Sequence, residues 1–301
     1  IHLAARSRSL FGSDSATMNL KYILMRAIRR QLPDRLFFTL MKLGAGGLAD
    51  NVSESAPHSA IARWQEIFCQ RGLRIAGKHL LELGSGRYAR FAIHALAAGA
   101  RRVTLIDLYA MPLTAPEHRA LLESDCAELG LDFEDAIARV EVIHGDILSL
   151  SAPPTERRTD IVISNSVLEH LQDPSLAMKK CIDWLKPGGF TCHAIDLRDH
   201  YFLYPFEMLT FSDRVWERWL NPKGGFHLNR WRAPDYAQAV ADAGFVNVTC
   251  DAFLSDEAGL KSVAPRLAGR FRNMSEEALS TLMILLYGEK PLTPQSEREL
   301  S

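Results

Sequence analysis

No stretch of this sequence approaches the roughly 20 consecutive apolar residues needed to cross a bilayer, which argues against a membrane-spanning helix. Cysteine is scarce and scattered: five residues, at 69, 126, 181, 192 and 250, with no C-x-x-C spacing. An odd, unclustered set argues for a reducing compartment and against a disulfide framework or a thiolate zinc site. Net charge is almost absent, −1 from 35 Lys+Arg and 36 Asp+Glu. A chain so balanced lacks the broad basic face of a nucleic-acid binder, and no nucleic-acid partner is expected. Internal repeats and low-complexity tracts are missing as well. What remains is ordinary in bulk: 301 residues, 47% hydrophobic, 24% charged, enough for one large domain or two small ones.

The informative stretch is 79–107, HLLELGSGRYARFAIHALAAGARRVTLID. It reads as a short apolar strand over 80–83, a tight turn at Gly84-Ser85-Gly86, a helix over 87–98 closed by Gly99, and a second strand over 103–106 ending on Asp107. Glycine lets the backbone turn sharply and approach a ligand without a Cβ in the way. An acid at the tip of the second strand can accept hydrogen bonds from ribose hydroxyls. The pattern G-x-G-x-x-A over 84–89 is one that a dinucleotide site also allows. Three details point away from a dinucleotide. Glu82 stands two residues before the first glycine, placed to meet a cationic ligand. Asp146, after Gly145, stands where an adenine amino group needs an acceptor. A further strand end carries Ser164-Asn165-Ser166, followed by Val167-Leu168-Glu169-His170.

Downstream, strands and helices alternate. A capping box at Thr114 and Glu117 opens a helix running to Leu129, and a third strand covers 140–144. A fourth covers 160–164, and Asp173-Pro174 starts the next helix. Pro187-Gly188-Gly189 ends that helix and leads into a fifth strand over 190–195. A helix opened by Pro234, a strand over 245–253, a short helix capped by Ser275 and a last strand over 283–287 complete the series. Such alternation predicts an α/β fold with a parallel, doubly wound sheet. Ligands in these sheets lie at the carboxyl ends of the strands, where Asp107, Asp146, Asn165 and Asp196 all fall.

Taken together, Glu82-Leu83-Gly84-Ser85-Gly86, Asp107, Gly145-Asp146 and the 165–170 segment resemble the class I S-adenosylmethionine (SAM) dependent methyltransferases, in the small-molecule branch with a V-L-E-H segment. The resemblance spans about residues 63–244 and implies a Rossmann-like, seven-stranded, mostly parallel sheet whose last strand is antiparallel. It departs from the family at Tyr88, where many members carry a third glycine. It implies SAM as cofactor, held by Glu82, Gly84, Ser85, Gly86, Asp107, Leu108, Asp146, Ile147, Asn165 and Ser166. The expected reaction is methyl transfer to a polar small-molecule or glycan acceptor, most simply a hydroxyl, with a histidine general base. His170 and His200 are the candidates, His200 oriented by Asp199 or Asp196; His193, in mid-strand, reads as structural. His170 with Asp196, Asp199 and His200 could hold a divalent ion, but these residues share no helical spacing and no metal is expected. Two other readings stay open: a NAD-dependent oxidoreductase, and a non-catalytic methyltransferase-like binding module.

Residues 196–233 interrupt the alternation with a run dense in aromatics and arginines. This insert is expected to cover the acceptor, with Asp196, Arg198, Tyr201, Arg230, Trp231 and Arg232 contacting it; aromatic faces beside charges suit a sugar, a polar ring or a phosphorylated group. The alternative is a structural insertion with an aromatic core of its own. The segments I-D-L-R-D-H and N-R-W-R are similar to methyltransferases among glycan-assembly enzymes. The domains expected are 1–48, a flexible leader without a signal peptide plus a basic amphipathic segment; 49–290, the methyltransferase domain with 197–233 as inserted cover; and 291–301, a polar tail. In the first of these, Leu20, Ile23, Leu24, Ala27 and Ile28 fall at helical spacing beside Lys21, Arg26, Arg29 and Arg30. That face is expected to pack on protein, with peripheral membrane contact through 18–43 as the alternative. The expected location is the cytoplasm.

Overall fold

The computed structural model describes residues 19–32, 57–201 and 203–292. Strand β1 (His79–Leu83) lies between β2 (Arg102–Asp107) and β4 (Thr159–Asn165), parallel to both. Outside these, β3 (Val140–His144) and β5 (Leu185–Asp196) continue the parallel sheet. Strand β7 (Thr281–Glu289) runs antiparallel between β5 and β6 (Val246–Ser255). The described residues therefore form a seven-stranded sheet in the order β3-β2-β1-β4-β5-β7-β6. The sequence predicts this doubly wound, mostly parallel fold.

All five residues of β1 are buried because helices cover both faces of the sheet, so the strand shows no apolar-polar alternation. Leu80 joins Leu105 and Ile163 against α2 (Pro57–Gln70), α3 (Arg90–Ala97) and α4 (Pro116–Leu129), through Trp64, Phe68, Phe91 and Leu122. Leu81 and Leu83 join Val162 against α6 (Pro174–Trp184) and α7 (Ala233–Asp242), through Met178, Cys181, Tyr236 and Val240. Asp173 caps α6 by accepting from the Leu176 amide at 2.8 Å, and Ser275 caps α9 (Glu276–Ser280) in the same way.

Several local expectations are corrected. Helix α4 begins at Pro116 with Ala115 before it and no side-chain cap, so the Thr114–Glu117 box does not form. Two short helices lack the periodic run that reveals longer ones. These are α5 (Phe133–Ala138), capped by Asp132, and α8 (Glu257–Val263), capped by Asp256. Strand β5 starts at Leu185 and carries Pro187-Gly188-Gly189 inside it. Its pairing with β4 is irregular there, between Thr159 and Ile161, the kind of place that tolerates proline in a strand.

The largest correction concerns α1 (Leu20–Gln31). Its inward face is Tyr22, Arg26 and Arg29, while Leu20, Leu24 and Ile28 are 73%, 61% and 53% exposed. The reason is Asp199, a fully buried carboxylate in the insert. The Tyr22 hydroxyl and the Arg26 guanidinium both donate to it, and Arg26 also lies over the Tyr201 and Trp216 rings at 4.7 and 4.9 Å. A buried carboxylate demands a partner more strongly than three leucine-type side chains demand cover. Tyr22 thus enters a third apolar cluster in which Phe206, Met208, Leu209, Trp216 and Leu220 of the insert pack with Leu260, Val263 and Phe271, so the insert shares its core with α1 and the segment after β6. Among the described residues no helix is long and apolar enough to cross a membrane. The expected N-terminal leader, residues 33–43 of the basic segment and the polar tail beyond 292 lie outside the described residues.

Candidate active site

At the end of β1 the chain turns at Gly84, whose φ is +71° and whose amide donates to the Ile106 carbonyl at 2.8 Å. A Cβ there would run into the Val167 side chain, so both the conformation and the contact require glycine. Asp107, ending β2, faces this turn. Its carboxylate accepts from the Gly86 amide at 2.8 Å and the Tyr109 amide at 2.6 Å. Burial pushes its pKa up while these two amides pull it down. Glu82 sits one step back in β1, buried, with Oε2 lacking a hydrogen-bond partner. Burial first, and then the Asp107 charge, raise its pKa to about 8.

A cleft of about 360 Å³ opens at these carboxyl ends. Gly84, Asp107, Leu108, Asp146, Ile147, Ser166 and His170 line it, as the sequence expects. Glu82, Ser85, Gly86, Asn165 and His200 are not on its wall. Asp146 accepts from the Leu148 amide at 2.9 Å and so starts a single helical turn at the cleft edge. The far side comes from Tyr109, Val167, Gln172 and, from the insert, Gly224 and Gly225. Sequence reasoning missed these; the N-P-K-G-G run at 221–225 was the available signal.

The turn Leu168–His170 follows β4 and carries the cleft's histidine. The Nδ1 of His170 bonds the His227 carbonyl at 2.8 Å, and its ring meets His200 edge-on with centroids 4.8 Å apart. Burial lowers the pKa of both rings, in His200 with the positive field of His170 next, so both are neutral near pH 7. Glu169 beside them is pushed well up by burial, then by Asp196. Asn229 pins this turn to the insert: its side-chain amide donates to the Leu168 and Leu171 carbonyls at 2.7 and 3.1 Å. The mid-strand His193 lies between Ser164 and Thr191, fully buried, with its pKa lowered to about 3 by burial.

The insert redistributes the expected contact residues. Asp199 does not orient His200, because its oxygens serve Tyr22, Arg26 and the Tyr201 amide. Asp196 grips Arg198 through two oxygens, at 2.9 and 3.1 Å from Nε. The Arg232 guanidinium is fully buried and spends its donors on the carbonyls of Leu197, Ala278, Leu279 and Thr281. Arg230 does likewise with Met208, Phe211 and Asp213. Arg232 bolts the insert to the start of β7, Arg230 ties the insert to itself, and Tyr201 packs on α1; none of the three lines the cleft or the polar pocket beside it. Trp231 does. It borders a second, polar pocket of about 580 Å³ with Arg30, Glu217, Asn221, Lys223, His227 and Asn229, sharing Gln172 with the first cleft.

Comparison with known proteins agrees with this geometry. A family model described as a methyltransferase domain matches residues 57–250. The ubiquinone biosynthesis O-methyltransferase of Azotobacter vinelandii is 27% identical over 140 residues, 46% of this chain and 53% of that one. The (S)-coclaurine N-methyltransferase of Papaver somniferum is 26% identical over 188 residues, 57% of this chain and 48% of that one. The chain spans about half the length of these curated relatives. Among solved structures, an S-adenosylmethionine dependent methyltransferase from Mesorhizobium loti superposes with a TM-score of 0.42 at 16% identity, covering 75% of this chain and 96% of that one.

Proposed function

The chain belongs to the methyltransferase-domain family, the class I SAM-dependent enzymes, and from that premise we propose that it transfers a methyl group from SAM to a hydroxyl of a polar small molecule or glycan. The observation that carries the reading is the cleft at the strand ends with a polar pocket beside it, the two meeting at Gln172. The first has the acid and the glycine turn suited to an adenosine moiety. The second is polar and aromatic, and His170 stands on the first pocket's wall, toward the insert. In this reading the Asp107 carboxylate takes the ribose hydroxyls and Asp146 lies toward the adenine. Glu82, buried below and held protonated in the ligand-free protein by its raised pKa, would ionise beside a sulfonium cation and so balance its charge. The cofactor brings its own electrophile, so the protein's task is positioning: the acceptor oxygen about 3 Å from the methyl carbon, in line with sulfur. As methyl moves to oxygen, the hydroxyl proton must leave, and the neutral His170–His200 pair is the group nearest the cleft able to accept it.

Arg30, Lys223 and Glu217 around Trp231 favour an acceptor with several hydroxyls or an anionic substituent. The relatives named above support transfer to oxygen or nitrogen, and the hydroxyl reading rests on the neutral histidine pair. Thermal shift with SAM, S-adenosylhomocysteine and NAD tests the cofactor. A ligand at a hundredfold excess over its dissociation constant raises stability by roughly 2.7 kcal/mol. Stabilisation by the first two and not by NAD is expected; the reverse overturns the proposal. Transfer of labelled methyl to a glycan or metabolite pool then separates an enzyme from a binding module.

A further inference from the structure

We infer that Glu169, His170 and His200 form a divalent transition-metal site beside the cleft, an inference that rests on the methyl-transfer reading above and replaces its histidine base. Each of the three offers one ligand atom, and these atoms all lie within 4.8 Å of one another. They come from two places that sequence spacing cannot join: the turn after β4 and the loop after β5. An ion with bonds of about 2.1 Å spans ligand atoms up to about 4 Å apart, so a shift of well under 1 Å per side chain closes the set.

The state of Glu169 is the second observation. It is 3% exposed, its Oε1 meets only the Asp196 amide at a long 3.3 Å, and its Oε2 is buried without a hydrogen-bond partner. A buried carboxylate in that condition lacks the compensation such groups require. Arg198, a cation whose charge reaches Glu169, forks its guanidinium onto Asp196. The third observation is the tautomer of His170. A carbonyl only accepts, so the 2.8 Å contact with the His227 oxygen places the proton on Nδ1 and leaves the lone pair on Nε2. A ligating histidine is ordinarily held in this way through its other nitrogen. Two imidazoles and one carboxylate with open positions suit zinc, iron or manganese over magnesium, which prefers an all-oxygen shell. Asp196 and Asp199, the carboxylates that the sequence pointed to, are occupied elsewhere, and Glu169 takes their place.

His170 borders the cleft, so an ion here lies beside the acceptor position. It would bind the acceptor oxygen and acidify its hydroxyl, the proton passing to water. The methyl group then moves from sulfur to that oxygen, yielding S-adenosylhomocysteine and a methyl ether. The histidines would then hold the ion and leave proton abstraction to solvent.

The test uses the full chain stripped with a chelator and titrated with Mn²⁺ or Zn²⁺ by calorimetry, with metal content measured after dialysis. Wild type should take up one ion per chain, and Glu169→Gln and His200→Gln should each weaken uptake by at least about tenfold. SAM affinity, measured on the same samples, should stay within about twofold of wild type and serves as the control for folding. No uptake by wild type, or equal uptake by both variants, overturns the metal site. If stripped protein still binds SAM and methylates at full rate, the metal site fails and the histidine-base reading stands. If stripped protein fails to bind SAM at all, the fault lies with the proposed function itself.

Discussion

Asp107 holds its own loop through the Gly86 and Tyr109 amides, and in the proposed function it offers the same oxygens to a ribose. Hydrogen bonds to a charged acceptor are worth about 1.5–3 kcal/mol each. Asp107→Ala should therefore weaken SAM and S-adenosylhomocysteine alike by at least about tenfold on calorimetry; unchanged affinity would remove it from the ribose site. Glu82 makes a pH prediction with a definite sign. Burial, and then the Asp107 charge, push its pKa in the folded chain up to about 8, well above the usual carboxylate range. The ligand-free protein should thus hold this group's full stabilisation below about pH 4.5 and lose it progressively as pH rises toward 8. Glu82→Gln should flatten the stability slope across that window in urea titrations. A slope identical to wild type would show that Glu82 is not the buried neutral acid described.

At the scale of elements, α1 is fastened by charge, with its apolar stripe turned outward. Removing one partner of a buried ion pair leaves the other uncompensated, a cost of about 3–5 kcal/mol. Arg26→Ala should lower the unfolding temperature by several degrees, and Arg26→Met paired with Asp199→Leu should lose much less. Equal losses would mean that packing of α1, and not the carboxylate, sets its orientation. The Asn229 latch makes a parallel case for the turn at Leu168–His170, since its side chain holds two carbonyls of that segment. Asn229→Ala should cost about 1–3 kcal/mol. It should also speed hydrogen exchange in residues 168–171 while sparing the glycine turn at 84–86.

Across the whole molecule, the sheet and the insert divide the work. The sheet's strand ends supply the first pocket, and the insert with α1 supplies most of the second. Substitutions in the second pocket should therefore raise the acceptor KM and leave cofactor binding alone. Lys223→Ala and Trp231→Ala are expected to leave the SAM dissociation constant within about twofold while raising KM for the acceptor severalfold. A matching loss in SAM affinity would merge the two pockets into one site.

The parallel sheet, its central strands, the glycine turn, the acids at three strand ends and the caps at Asp173 and Ser275 were legible in the chain because each rests on local chemistry: apolar runs, positive φ, and side chains bonding amides three residues away. The short helices α5 and α8 escaped because too few residues carry their period. The fate of the long-range polar groups was invisible for a different reason. Which carboxylate meets Arg26, that Arg230 and Arg232 spend their donors on distant carbonyls, and that Glu169 stands with His170 and His200 are all settled by burial. A buried charge takes whatever partner folding brings within reach, and that choice is made in three dimensions across separations such as the 173 residues between Arg26 and Asp199.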